Sequence, residues 1–519
     1  MGRGPIPMAD GALSDLKVVE YADFVSGPFC GKLMADLGAD VIKVEVPSSG
    51  DTARHTGPFP DDIPHPERSG LFLYLNTNKR SVSLDPGTAA GAEVFRELIK
   101  TADVLIENTR PGTMEGLGLD YESLRQINPG LVMTSVTPFG QFGPYSKWKG
   151  NDLICTQMSG LAFHTPGGGV DSPDKPPLKP GGRQSEFIAG STAASATMFA
   201  VIARKALGVG QHVDVSQHES IASFLRHQVA FYTYDPEGIG YLRQFERGAR
   251  VWPRAWRPLP CRDGYVFGRC RQESQWRALM GLAAGDGWEK EKRFQGMFEG
   301  DFDLLTFLSE WGETIRPVIE EWTMQRTTAE TIATAKSRNI PFSPSAYSGF
   351  GYLPCKDGYV VCGCREAYQW RDLVTLVLGD EWVEDERFKD LLGDEFDFGV
   401  FLFEAGPVLW PVIIKWAEDR TREEITVAAQ GRSIPIVPCN TTEDVFESAH
   451  FAERQLLVEI DHPETGSLLY PGAPYHLSET PWQGDRPAPL LGQHNREILG
   501  DGLGYSDEKL ATMGAAGVI

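Results

Sequence analysis

The sequence predicts an α/β fold, with a parallel sheet in its first 230 residues and a duplicated unit in its middle. Three observations carry that prediction. From residue 17 onward, β-branched runs alternate with helix-forming runs, the rhythm of parallel strands joined by covering helices. Pro260–Pro344 and Pro354–Pro438 align without a gap at an offset of 94 residues, so a whole supersecondary unit is written twice. Beyond 440 the chain is rich in proline and poor in periodicity, which suits a segment that wraps an existing surface better than one that folds alone.

KVVEYA (17–22) predicts a strand, Phe29–Leu37 a helix opened by Gly27-Pro28, and DVIKVE (40–45) a second strand. RSVSLD (80–85), AAGAEVFRELIKTA (89–102), DVLIEN (103–108), YESLRQIN (121–128) and LVMTSV (131–136) continue the alternation. A long helix over 187–207 is built on Ala, Ser and Thr, small side chains that let another element come close. HVDVS (212–216) adds one more strand. In the repeat Asp263 recurs as Asp357, Gln275 as Gln369, Trp276 as Trp370 and Trp322 as Trp416. Trp276 and Trp370 are expected in the core, each in a helix that follows a strand. The boundaries drawn from these shifts are 1–235, 236–349 for the first copy with its linker, 350–440 for the second, and 441–519.

A chain of 519 residues is too long for one ordinary core. Its formal charge of −22 argues against a nucleic-acid or anionic-membrane partner, because the long-range field repels phosphate. Any anionic ligand must be held by a local basic patch. The opening residues show no secretory pattern and nowhere do eighteen apolar residues run together, so no membrane span is expected and the cytoplasm is the expected compartment. Cys261 and Cys270 match Cys355 and Cys364, with Cys362 extra. Their spacing is not that of zinc knuckles and no histidine lies close, so buried thiols are expected and no metal.

LSDLKVVEYADFVSGPFCGKLMADLGADVIKVEVPSSGD (13–51), LNTNKRSVSLD (75–85), ADVLIENTRPGTMEGLGLDYESLRQINPGLVMTSVTPFGQFGPY (102–145) and LGVGQHVDVSQHESI (207–221) resemble the family III CoA-transferases, also called the CaiB/BaiF family. The resemblance covers roughly 13–235, one copy of the repeat, and the tail from PGAPYHLSETP to LGQHNREIL. It implies a Rossmann-like large domain built from both chain ends, a small middle domain, and an interlocked homodimer. It also implies no permanently bound cofactor: coenzyme A arrives on an acyl-CoA donor and leaves on a carboxylic acid acceptor. The duplication departs from the usual chain, which carries the middle unit once.

The resemblance places Glu186 where the transferases have their nucleophilic aspartate. Such a carboxylate attacks the acyl-CoA carbonyl, and an anhydride and then a glutamyl-CoA thioester follow. The bland reading is that a glutamate in a helix's first turn is favoured by the dipole, by about 0.3–1 kcal/mol. Asn151, just before Asp152, stands where the racemase branch carries a histidine; an amide cannot exchange a proton, which argues against racemisation. The resemblance also makes Asn151 a candidate for binding CoA; taken without context, Asn151-Asp152 is equally a turn or helix cap.

VSGPF (25–29), containing Val25 and Ser26, sits at a strand-to-helix junction that offers backbone N–H groups to an anion. Lys79, Asn108 and Arg110 lie in turns resembling the family's CoA-binding turns and are candidates for the adenosine and phosphate end; each is also readable as a solvated loop residue. Val25 and Val46 replace the Gln and Arg of the formyl-CoA branch, which points to a less polar acyl group. Aromatic residues between 224 and 256 are candidates for an acyl pocket or for packing at the domain junction. The alternatives to transfer are an acyl-CoA isomerase, dehydratase or racemase, and a CoA-thioester-binding paralogue without turnover.

Overall fold

The computed structural model describes residues 11–165, 177–225, 259–268, 270–300, 302–344, 351–364, 366–384, 406–484 and 486–519. The chain divides into two compact units, Met1–Arg243 with Phe446–Ile519, and Gln244–Val445. It is a mixed α/β fold with a parallel central sheet.

In the first unit the strands are β1 (Lys17–Tyr21), β2 (Asp40–Glu45), β3 (Arg80–Ser83), β4 (Val104–Glu107), β5 (Val132–Thr137) and β6 (His212–Ser216). They pair in parallel in the order β3-β2-β1-β4-β5-β6. Its helices include α1 (Ser26–Ala35), α2 (Gly70–Leu75), α3 (Ala89–Ile99), α4 (Thr113–Gly116), α5 (Tyr121–Leu124), α6 (Asp152–Met158) and α7 (Gln184–Leu207). Successive strand residues face opposite sides, so Val18 enters one core with Cys30, Met34 and Ala193 while Val19 enters another with Phe95 and Leu98. Burial on both faces is why Val104, Leu105 and Ile106 of β4 form a continuous apolar run.

Three expectations needed adjustment. α1 begins at Ser26 rather than Phe29, because Pro28 belongs to a first turn, where its missing N–H has no role. YESLRQIN supplies only the four helical residues of α5; Asn128 then turns back and donates to the Ile99 and Ala102 carbonyls at 2.9 and 2.7 Å. The tail contains an antiparallel hairpin, Leu457–His462 with Gly466–Pro471, that its composition hid. By length and composition α7 is the one described helix long and apolar enough to cross a bilayer. Here it lies along the sheet, with Ala189, Ala193, Ala200 and Val201 buried in the same core as α1.

The tail joins the first unit at the β3 edge. Ser81 N donates to His494 Nδ1 at 3.1 Å, His494 N to the Ser81 carbonyl at 3.0 Å, and Ser83 N to Asn495 Oδ1 at 2.9 Å. Farther along, Arg486 N donates to Asn78 Oδ1 at 3.1 Å and Gln483 N to the Asp36 carbonyl at 2.8 Å. An edge that would otherwise offer unpaired backbone groups is thereby covered.

The second unit holds two antiparallel three-stranded sheets, β7 (Leu259–Cys261), β8 (Gly264–Gly268) and β9 (Phe342–Pro344), then β10 (Gly351–Cys355), β11 (Gly358–Cys362) and β12 (Ile436–Pro438). Val266 pairs with Leu259 and Pro344, as Val360 pairs with Leu353 and Pro438. Trp276 and Trp370 are each 1% exposed, in separate cores. Cys270 and Cys364 are buried in those same two cores, two residues past the strand ends.

Candidate active site

α7 starts without a cap of its own. Its N-cap residue is Arg183, whose side chain makes no capping bond, so the first-turn N–H groups need an outside acceptor. Asp152 is that acceptor. Its Oδ1 takes the Ser185 N–H at 3.0 Å and the Ser185 hydroxyl at 2.6 Å, while its Oδ2 pairs with Lys179 Nζ at 2.6 Å. Gln217 Nε2 donates to Ser185 Oγ at 2.6 Å. Asn151 caps α6 by accepting the Ile154 N–H at 3.0 Å, which sets Asp152 in that helix's first turn. The cap reading of Asn151 is thus seen in the structure.

Glu186 is the third residue of α7. The helix meets α1 at Gly190, where a Cβ would stand 2.7 Å from the Ser26 carbonyl oxygen, and Phe187 packs edge-on against Phe29 with centroids 4.9 Å apart. That close approach leaves Glu186 only 8% exposed. Among the described residues its Oε2 has no hydrogen-bond partner, and the nearest cation is Arg183 Nη1 at 3.7 Å. Burial lifts the carboxyl to about 7; Arg183 opposes the rise, Asp152 adds to it and Lys179 opposes it. The Cys155 thiol is pushed up to about 12 by burial, with Asp152 and Glu186 contributing.

A cleft of about 460 Å³ opens at the carboxyl ends of β1, β2 and β4, lined among others by Asp23, Val46, Thr52, His55, Asn108 and Arg110. This is the point where the strand order reverses, the usual ligand crevice of a doubly wound sheet. Such sheets often bind a dinucleotide ribose with an acid at the end of β2. Here that acid, Glu45, is held by Arg54 Nε at 2.7 Å, Arg54 Nη2 at 2.9 Å and Ser81 Oγ at 2.9 Å, so it is not free for a ribose.

Asn108 and Arg110 line this cleft. Asn108 also fastens the loop after β1, accepting the Asp23 N–H at 2.8 Å and donating to the Asp23 carbonyl at 2.7 Å. Arg110 is exposed at the mouth. Val25 is fully buried as the residue preceding α1, and Ser26 accepts from Asn108 Nδ2 at 3.3 Å, so this junction offers backbone rather than side chains. Lys79 lies elsewhere, which corrects the expectation that it reaches the phosphates. Its Nζ is buried, 2.8 Å from Glu20 Oε2, 2.9 Å from Asn76 Oδ1 and 2.7 Å from the Pro28 carbonyl. Burial pulls its amine down to about 8 while Glu20 pulls the other way. Of the aromatic stretch 224–256, residues 226 onward lie outside the described residues.

Sequence reasoning passed over Lys179, Arg183, Ser185 and Gln217. A Gly-Gly turn flanked by two cations, just ahead of the glutamate, was a visible signal for Lys179 and Arg183. Nothing local signalled that Asp152 meets Ser185.

A model of CoA-transferase family III matches residues 13–348 and 345–495. The chain belongs to CoA-transferase family III. It is thereby an enzyme of the acyl-CoA:carboxylate CoA-transferase class. It is 30% identical over 475 residues to succinyl-CoA:(R)-benzylsuccinate CoA-transferase subunit BbsE of Thauera aromatica, covering 91% of this chain and 90% of that one. It is 26% identical over 508 residues to succinyl-CoA–D-citramalate CoA-transferase of Chloroflexus aurantiacus, covering 98% of both. In structure it resembles a CaiB/BaiF family protein from Brucella suis, with a TM-score of 0.64 at 24% identity over 95% of this chain and 100% of that one. That last likeness concerns the fold.

Proposed function

We propose that this family member moves CoA from an acyl-CoA to a free carboxylic acid with Glu186 as the nucleophile. The observation that carries the proposal is a nearly buried carboxylate with an unpartnered oxygen, set in the first turn of α7 where that helix touches α1. Glu186 attacks the donor carbonyl; the C–S bond breaks, leaving a mixed anhydride and CoA thiolate. The thiolate attacks the glutamyl carbonyl and expels the donor acid. The acceptor carboxylate attacks the resulting thioester and releases the thiolate, which takes the acceptor acyl group and returns Glu186 as a carboxylate. Every step trades one activated acyl for another.

The nucleotide end of CoA is placed in the cleft after β1, β2 and β4, with Asn108 fixing its wall and Arg110 offering charge to phosphate. The start of α1, Val25 and Ser26, contributes N–H groups. The second unit is read as a tandem duplication, supported by strand pairings that recur 94 residues apart. The chain is proposed to work as an interlocked homodimer in the cytoplasm. Supporting the pairing, α7 leaves Phe199, Ile202 and Leu207 exposed at 71%, 60% and 64%; supporting the compartment, its eight cysteines are unpaired.

Incubation with an acyl-CoA, then hydroxylamine or borohydride and peptide mass analysis, is expected to mark Glu186. Ligand binding without any adduct would favour a paralogue that has lost turnover. Deuterium uptake at the α-carbon without CoA exchange would favour an isomerase.

A further inference from the structure

The first turn of α7, which carries Glu186, is held from outside the helix, and the hold can be followed back to the sheet. Strand β6 ends at Ser216, in register with Thr137 of β5, and Ser216 caps the next helix, α8 (Gln217–Ala222), by accepting the Glu219 N–H at 3.2 Å. α8 is docked at two further points. His218 N donates to the Pro138 carbonyl at 3.0 Å, and His218 Nε2 lies 3.2 Å from the carbonyl oxygen of Met158, the last residue of α6. Gln217 therefore projects from a fixed frame, and its buried side chain reaches Ser185.

The direction of each bond along this path is set by its neighbour. As a carboxylate paired with Lys179 Nζ at 2.6 Å, Asp152 only accepts. Ser185 has one hydroxyl proton, and Asp152 Oδ1, 2.6 Å away, takes it. Only lone pairs are left on Ser185 Oγ, so Gln217 turns its amide nitrogen rather than its carbonyl toward them, at 2.6 Å. Ser185 is wholly buried, so without that donor the hydroxyl would lose a partner that water could not replace. Its N–H is also on Asp152 Oδ1, at 3.0 Å. The residue just ahead of Glu186 is thus fixed by its backbone and its side chain together.

Glu186 is aimed by that turn. Its own Oε2 has no hydrogen-bond partner among the described residues, and Arg183 at 3.7 Å is beyond hydrogen-bond reach. A nucleophile displaced by about 1 Å loses on the order of a hundredfold in rate. We infer that Gln217 is a positioning residue for the transfer, holding the first turn of α7 through Ser185 and Asp152 so that Glu186 points at the acyl carbonyl. The inference rests on Glu186 being the nucleophile, and it names the part that aims it.

Gln217→Met keeps the length of the side chain and removes the donor; Gln217→Glu keeps its shape and puts an acceptor in the donor's place. Succinyl-CoA, the donor in the names of the relatives above, is used with isotopically labelled succinate, since label enters the thioester only by complete transfer. Gln217→Met should lower kcat on the order of ten- to a hundredfold with KM for succinyl-CoA unchanged. Gln217→Glu, which sets two acceptors against one hydroxyl proton, should lower it further. In a Ser185→Ala background Gln217→Met should cost nothing more, because the link it acts through is gone. Hydrogen exchange in the peptide covering residues 184–188 should quicken in Gln217→Met while β3 and α3 exchange as in the wild type. An unchanged kcat, a loss confined to KM, or losses that add in the double mutant would overturn the inference. Faster exchange throughout the first unit would also overturn it, marking a general loosening. The exchange measurement needs no turnover. A wild type that transfers no label and takes no adduct at Glu186, yet whose α7 turn depends on Gln217 through Ser185, would sink the transfer reading and leave the hold standing. A wild type that transfers label with that turn indifferent to Gln217 would do the reverse.

Discussion

Burial lifts the Glu186 carboxyl from the ordinary carboxylate range to about 7. At that value the anion that the proposed attack requires is scarce in mild acid. The kcat/KM for the donor should rise through an inflection near that value and level off above it, read from initial rates across pH. Arg183→Gln removes a cation that holds the carboxyl down, so the inflection should move up; Asp152→Asn removes an anion that holds it up, so the inflection should move down. The stability consequence has the opposite sense to a salt-bridged acid. A folded value raised above the unfolded one gives stability that is complete below the ordinary carboxylate range and is lost as pH rises through about 7. Glu186→Gln should therefore gain on the wild type in urea unfolding as pH climbs through that window; a constant difference would count against the assigned burial. Glu186 was singled out only through the family resemblance of the surrounding sequence. Asp152 as its helix's cap was not legible, since the two touching residues are 33 positions apart and nothing in either local pattern records the contact.

Among the elements, α1 shows how much the sheet depends on two glycines. A Cβ at Gly31 would fall 1.8 Å from Glu20 Oε2, and Glu20 pairs with both Lys43 and Lys79. Gly31→Ala should push that carboxylate away from two buried cations and destabilise the fold by about 3 kcal/mol or more, measured by equilibrium urea unfolding. At Gly190 the obstruction is the Ser26 carbonyl and the Phe29 side chain. Gly190→Ala should cost about 1–3 kcal/mol through overpacking and should also lower the trapping yield at Glu186, because the helix carrying it is lifted off α1. The strand positions were legible through their β-branched residues: DVIKVE and HVDVS fall on β2 and β6 with no shift. The hairpin at 457–471 was not legible. Its residues alternate only weakly, with Leu457 and Val458 half-buried and Glu459 exposed, so neither periodicity stood out.

For the whole molecule, the first unit is completed by the end of the chain. Ser81, Ser83 and Asn78 all find partners between 486 and 495, so a chain cut before Phe446 should leave the β3 edge bare and aggregate, as size-exclusion chromatography would register. The second unit has two separate cores, and Trp276→Ala and Trp370→Ala should each lose about 3–5 kcal/mol. If the cores are thermodynamically independent, the two losses add; shared strain would show as a non-additive double mutant. The tail that closes the β3 edge also sets a timetable. During synthesis the first six strands leave the ribosome long before residues 483–495 exist, and at about 5–20 residues per second the interval is on the order of tens of seconds. For that time the nascent chain carries an uncovered parallel sheet, while the intervening Gln244–Val445 is made whole. Expression of this protein should therefore respond to chaperones that bind open sheet edges more strongly than its finished stability would suggest.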